Sequence, residues 1–302
     1  MPGIACHTMR RVLTLWAPAV LSAATSTVVV SPGRTPGESG ANLVKAVAGF
    51  KTGESQPRQI KLPPGLYDIG REILLLPPSL DIEGSGESVT IIRGQLPLVI
   101  GNRIGVRILG EIRRLTVQGG NMPGGTTIGF RDCSWKLSDV TVMPAAIEPA
   151  RSAPRAISAA GGTGVLTRVT IPRGKPSSEA VWLKGGTYTI RESDISVGTE
   201  GAGPFVALHL DSATVFIGNS AISTPARGPN TAIQCDACVA TVNSSRISGP
   251  TALAFHGESD RGLLEVNGSY VYGAAKIDRN ANGMKCHGSF GSKGALNAAC
   301  QQ

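Results

Sequence analysis

Two aspartates, Asp211 and Asp236, stand 25 residues apart in equivalent surroundings, Leu210-Asp211 and Cys235-Asp236. If the chain stacks with that period, their carboxylates lie on neighbouring strands about 4.8 Å apart. Two acids that close resist ionising together, which should raise one pKa and make a nucleophile and general-acid pair conceivable. His209, Gln234 and His256 flank them, and His209 or Gln234 could stabilise developing charge. Lys184 supplies a cation one period upstream, and Trp182 offers a flat ring on which a sugar could stack. The alternative role for each is structural: aspartate at a strand end forms turns by bonding to backbone amides. Histidines on an outer face are usually half-packed against their neighbours.

A short repeated phrase sets the period. It is a small polar residue, any residue and then a branched aliphatic, as in Ser138-Asp139-Val140, Ser193-Asp194-Ile195, Ser220-Ala221-Ile222 and Ser245-Arg246-Ile247. Its aliphatic falls at 115, 140, 169, 195, 222, 247 and 271, giving intervals of 25, 29, 26, 27, 25 and 24. Such a period marks stacked units, each too small to bury a core alone. Every interval holds two further β-segments, such as Ala180–Lys184 and Tyr188–Ile190, with no helical periodicity between phrases. Three short strands in a coil of about 25 residues is the arithmetic of a β-helix, and parallel crossovers are nearly always right-handed.

The fold class predicted is therefore all-β, a right-handed single-stranded parallel β-helix with an N-terminal capping helix. Alternation sends Val181 and Leu183, Leu208 and Leu210, Ile233 and Cys235, and Leu253 and Phe255 inward. Trp182, His209, Gln234 and Ala254 then form one outward column. Lys184, Asp211, Asp236 and His256 form another. Asn219, Asn243 and Asn267 recur at intervals of 24 and read as a ladder of turn residues, since asparagine tolerates the left-handed conformation.

Glycine (39) and proline (20) suit short strands and tight turns better than a helical globule. Residues 9–24 combine Met9-Arg10-Arg11 with an apolar run and small residues, the pattern of a signal peptide cleaved after Ala24, with Met9 a candidate initiator. That run falls short of the roughly 20 apolar residues a membrane span needs. The formal charge is +8, carried by scattered single Lys and Arg. No basic block tracks a phosphate backbone, which argues against nucleic acid and leaves polyanionic sugar as the better partner. Leu43, Val44, Val47 and Phe50 share one face of a helix that starts near Ser39, placed to lid the apolar end of the stack.

The segments Leu62-Pro63-Pro64-Gly65-Leu66-Tyr67-Asp68-Ile69 and Leu80-Asp81-Ile82-Glu83-Gly84-Ser85-Gly86, following that helix, resemble the opening of exported bacterial parallel β-helix proteins. This opening is shared with pectinesterase-like members of the pectin-lyase-like superfamily. The terminus from Lys285-Cys286-His287 to Ala299-Cys300-Gln301 is similar to the Cys-bracketed end of the same group. The resemblance spans roughly residues 25–302 and implies a secreted, periplasmic or surface protein of that fold. The expected organisation is a signal peptide at 1–24, a strand and capping helix at 25–57, coils at 58–284 and a cap at 285–302. No catalytic residue carries over. The chain lacks the Asp-Phe-Ile-Phe-Gly of pectinesterases, the Trp-Ile-Asp-His of pectate lyases and the Asn-Thr-Asp and Gly-His-Gly of polygalacturonases.

Export makes disulfides available. Cys286 and Cys300 would staple the cap, and Cys235 and Cys238 could be core residues or a local bridge. A lone Cys-x-x-Cys with no second pair is poor evidence for zinc. Neither a metal nor a cofactor is expected. Three functions are compatible with these residues. One is a non-catalytic face for polysaccharide or another surface ligand. Another is a carbohydrate esterase or hydrolase using Asp211 and Asp236, and the last is a structural or adhesin-like surface element.

Overall fold

The computed structural model describes residues 26–50, 58–77, 79–95, 98–101, 109–119, 125–144, 155–173, 179–198, 204–257, 262–278 and 283–301. The expected signal peptide lies outside them. The chain is a parallel β-solenoid of about seven turns, 64% strand, with one helix among the described residues.

One coil shows the plan. Glu179–Lys184 lies in a first sheet, Thr187–Arg191 in a second and Asp194–Ser196 in a third. Each strand pairs in parallel with its counterpart one coil on, Val206–Asp211, Thr214–Gly218 and Ala221–Ser223. The inward columns are Val181–Leu208–Ile233–Leu253 and Leu183–Leu210–Cys235–Phe255, all fully buried. A further buried column of small residues, Ala156, Ala180, Ala207, Ala232 and Ala252, fills the corner where the chain enters the first sheet. Between the first and second sheets the chain turns through a left-handed residue, Asp132, Gly161, Gly185, Ser212 or Ala237. The Cys235–Cys238 disulfide spans the last of these turns inside the core.

The helix runs from Pro36 to Ala48, earlier than the start expected near Ser39. Its cap is Thr35: Glu38 N–H donates to Thr35 Oγ1, and the Glu38 carboxylate accepts from Thr35 N–H, a capping box with proline at the first helical position. Ser39 sits inside the first turn, where its hydroxyl donates to the Thr35 carbonyl. Leu43 and Val47 are buried over the first coils. Gly40 lets the helix approach the Gly65–Gly70 strand, because a Cβ there would fall 2.0 Å from the Asp68 carbonyl oxygen.

The repeated phrase divides into two registers. Leu115, Val140 and Val169 stack on one another, but the next residue in that column is Ser193 rather than Ile195. Ile195 pairs with Ile171. The phrase has slipped by two residues, and a slip of two leaves every side chain on its original face, so alternation alone does not reveal it.

From Ser193 onward the bend carries a buried serine relay. Ser193 N–H donates to Ser220 Oγ (3.2 Å), Ser220 N–H to Ser245 Oγ (3.2 Å), Ser245 N–H to Ser269 Oγ (3.0 Å) and Ser269 N–H to Ser289 Oγ (3.2 Å). The Ser193, Ser220, Ser245 and Ser269 hydroxyls each donate in turn to the carbonyl two residues earlier (2.8–2.9 Å). Ser245→Ala leaves the Ser220 N–H and the Asn243 carbonyl without this partner. We expect a loss of about 1–3 kcal/mol, read as a lower urea midpoint, while Ser244→Ala on the exposed side of the turn costs less than about 0.5 kcal/mol.

The asparagine ladder is shorter than expected. Asn267 Nδ2 donates to Asn243 Oδ1 at 3.0 Å, but Asn219 is one residue out of that column. Asn219 occupies the left-handed position, where Ser244 and Gly268 follow it in the next coils. The 24-residue interval from 219 to 243 is one shorter than the coil separating Ser220 from Ser245, which is why the spacing misleads.

The last parallel strands are Met284–His287 and Phe290–Gly291, so the stack runs a few residues past the expected boundary at 284. The Cys286–Cys300 disulfide ties the closing segment back to the last coil.

Candidate functional site

The first sheet brings the sequence candidates together on its outer face. Lys184, Asp211, Asp236 and His256 are consecutive partners across four coils, and Trp182, His209 and Gln234 form the adjoining column. Two residues absent from the sequence reading complete the cluster. Glu179 opens the strand Glu179–Lys184, and Arg155 opens the strand one coil before it. Their spacing of 24 was readable, but both lie before the aliphatic-x-aliphatic core that marked each segment.

The side chains form a diagonal network. Arg155 Nε meets Glu179 Oε2 at 2.5 Å, and Glu179 Oε1 bonds to His209 Nδ1 at 2.7 Å. His209 Nε2 bonds to Asp236 Oδ2 at 2.7 Å, and Gln234 Nε2 donates to both oxygens of the same carboxylate (3.0 and 3.2 Å). Beside it, Lys184 Nζ pairs with Asp211 Oδ2 at 2.9 Å, and Ser212 Oγ donates to Asp211 Oδ1. Trp182 lies beneath Arg155, whose guanidinium carbon is 4.3 Å from the ring centroid, with Lys184 Nζ at 5.8 Å.

Charge follows geometry. Burial opposes a charged imidazole at His209, but hydrogen bonds to Asp236 and Glu179 outweigh it and hold its pKa near 9. Burial likewise pushes Glu179 and Asp236 up. The His209 bonds, joined by Arg155 at Glu179 and by Gln234 at Asp236, reverse this and leave both below the ordinary carboxylate range.

This corrects the expected raised carboxylate. Asp211 and Asp236 do stand on adjacent coils, but each faces its own cation, so their mutual repulsion is not what sets Asp236. His209 at neutral pH is an imidazolium with both nitrogens engaged, which leaves no ring lone pair to accept a proton. The ring of Trp182 already carries Arg155 on one side. Lys184, with a side chain 55% exposed, reaches solvent, as does His256. No grouping of three or more His, Cys, Asp and Glu side chains suited to a metal occurs among the described residues.

The three stacked sheets, the capping helix and the outward-facing columns define the class: a right-handed parallel β-helix. Among solved structures the chain is similar to a pectin methylesterase in complex with a hexasaccharide, at 12% identity and a TM-score of 0.55 over 93% of each chain. It is similar to pectin methylesterase PemA from Erwinia chrysanthemi at 11% identity, TM-score 0.53 and 92% of each chain. It also matches the carrot pectin methylesterase at 12% identity and TM-score 0.55, covering 86% of this chain and 83% of that one. At these identities the likeness is one of fold. No protein-family model matches the chain, and neither does any curated protein.

Proposed function

We propose that the chain is an exported β-helix protein that holds acidic polysaccharide along its outer surface without cleaving it. The observation that carries this reading is the closed charge network of the first sheet. Arg155, Glu179, His209 and Asp236 neutralise one another, and Asp211 is bound to Lys184. A general acid or base needs an uncommitted group with a pKa near the working pH. These groups are instead shifted away from it or engaged in bonds.

Support for a sugar ligand comes from the scattered cationic excess, +8 over the whole sequence and +6 without residues 1–24, which hold Arg10 and Arg11, and from the pectin methylesterase likeness, which includes a hexasaccharide complex. The two disulfides fit an oxidising compartment outside the cytoplasm. No helix among the described residues is long and apolar enough to cross a membrane.

The competing reading is a pectin-active esterase or hydrolase, favoured by the register of Asp211 and Asp236 on adjacent coils. Incubation with methyl-esterified and unesterified pectin separates the two. The expected result is retention of pectin in affinity electrophoresis, with neither methanol release nor chain shortening. Methanol release or depolymerisation that disappears in Asp236→Asn or Asp211→Asn overturns the non-catalytic reading.

A further inference from the structure

The third sheet carries a second surface, distinct from the charge network of the first sheet. Its outward column runs Asp194, Ala221, Arg246, Tyr270 and Phe290, so the side chains change from small to aromatic toward the C-terminal coils. Tyr272 follows in the neighbouring column, in register with Ser248. Tyr270, Tyr272 and Phe290 are 54%, 36% and 47% exposed in a chain with only 13 aromatic Phe, Trp and Tyr side chains. Most large apolar groups here are buried, so three exposed rings in contact form a patch rather than scatter.

The rings are arranged. Tyr270 and Tyr272 are nearly parallel, 7° between planes with centroids 6.3 Å apart, and Phe290 is 6.0 Å from Tyr270. The Arg246 guanidinium lies 5.3 Å from the Tyr272 ring centre and pairs with no carboxylate among the described residues. Beside them is an open groove of 460 Å3, floored by Ala221 and walled by Arg246, Tyr270 and the Asn219 and Ser244 turns. That volume lies within the ~300–1,000 Å3 range of small-molecule sites.

We propose that this platform is a subsite for a uronic-acid residue of an anionic polysaccharide, and the proposal rests on the polysaccharide reading above. The C–H-bearing face of a pyranose carries slight positive charge and packs on the negative face of an aromatic ring. The guanidinium of Arg246, planar, always charged and free of a carboxylate partner among the described residues, suits a carboxylate by two parallel hydrogen bonds. A second copy of the chain docking through the rings would bury this cation without a counter-charge in the column, since its nearest acid there, Asp194, is two coils away.

The test is calorimetric titration of the full chain with a galacturonate hexasaccharide and with its methyl ester. The variants are Tyr270→Ala, Tyr272→Ala and Arg246→Gln, with Lys184→Ala on the first sheet as comparator and thermal melts to confirm folding. Tyrosine removal should weaken binding of the acid by about tenfold, the scale of one lost stacking contact. Arg246→Gln should erase the preference for acid over ester. If all three third-sheet variants bind within twofold of wild type, the platform is not the subsite. Binding lost only in Lys184→Ala places the sugar on the first sheet, which keeps the polysaccharide reading and overturns this one. No binding by wild type overturns both. A concentration-dependent dimer in sedimentation that Tyr270→Ala abolishes identifies a self-association surface instead.

Discussion

Phe255→Ala lowers the stability of the fold by about 3–5 kcal/mol, the cost of deleting a fully buried aromatic ring. Phe255 continues the Leu210–Cys235 column and is followed by Ile277. Three glycines make room for it: Cβ atoms at Gly257, Gly262 and Gly283 would fall 2.7, 2.6 and 2.2 Å from ring atoms. Those glycines belong to the links around the last coils, so one ring holds several segments that share no strand. In a stack whose coils touch only their neighbours, the damage should be regional. Hydrogen exchange should therefore accelerate in Leu263–Asn267 and Met284–His287 and remain slow in Ser134–Pro144. Phe255→Leu, which keeps most of the volume, should lose less than half as much. A loss under about 1 kcal/mol for the alanine variant, or uniform exchange along the stack, contradicts this account.

Alkaline destabilisation should trace to a single ring. The folded pKa of His209, about 9, lies above the ordinary 6.5, so the protonated form favours the fold. Its contribution is complete below about pH 6.5 and is lost as pH rises through 9. The size is on the order of 3 kcal/mol at most. It is shared with Glu179 and Asp236, whose depressed values describe the same bonds from the other side and are not added to it. On the acid side, those two carboxylates withdraw the same stabilisation as pH falls through their lowered folded values. Unfolding temperatures should hold to about pH 6, decline between about pH 6.5 and 9 and level off above that, and His209→Gln should flatten that slope. An imidazole titrating near 6.5 by NMR means that the bridge does not hold the proton.

The coil period, the three strands and the inward columns were legible because each depends on alternation, a property of single residues in sequence. The candidate face was legible for the same reason, since Lys184, Asp211, Asp236 and His256 share a parity and a period. What the pattern did not carry were the diagonal bonds. Glu179, His209 and Asp236 occupy three different outward positions on three coils, so no column contains them together. The expected carboxylate pair took the nearest like charges and overlooked cations reached obliquely. The slip between Val169 and Ser193 escaped for a related reason: a shift of two is silent to parity. The aromatic platform is a surface of singletons, Tyr270, Tyr272 and Phe290, and repetition could not flag it.

The serine relay makes coil number adjustable. From Ser193 to Ser289 every coil presents the same donor below and the same acceptor above, so the connection is indifferent to which coil comes next. Excising or duplicating a unit from Ser220 to Ser244 rejoins like to like at this bend, while removing or doubling Asp236 and the Cys235–Cys238 bridge on the first-sheet side. Across the boundary at Val169, where an aliphatic column ends and the hydroxyl column begins, the same operation joins unlike ends. The bend thus joins an N-terminal portion of fixed register to a C-terminal portion whose serine relay repeats coil by coil.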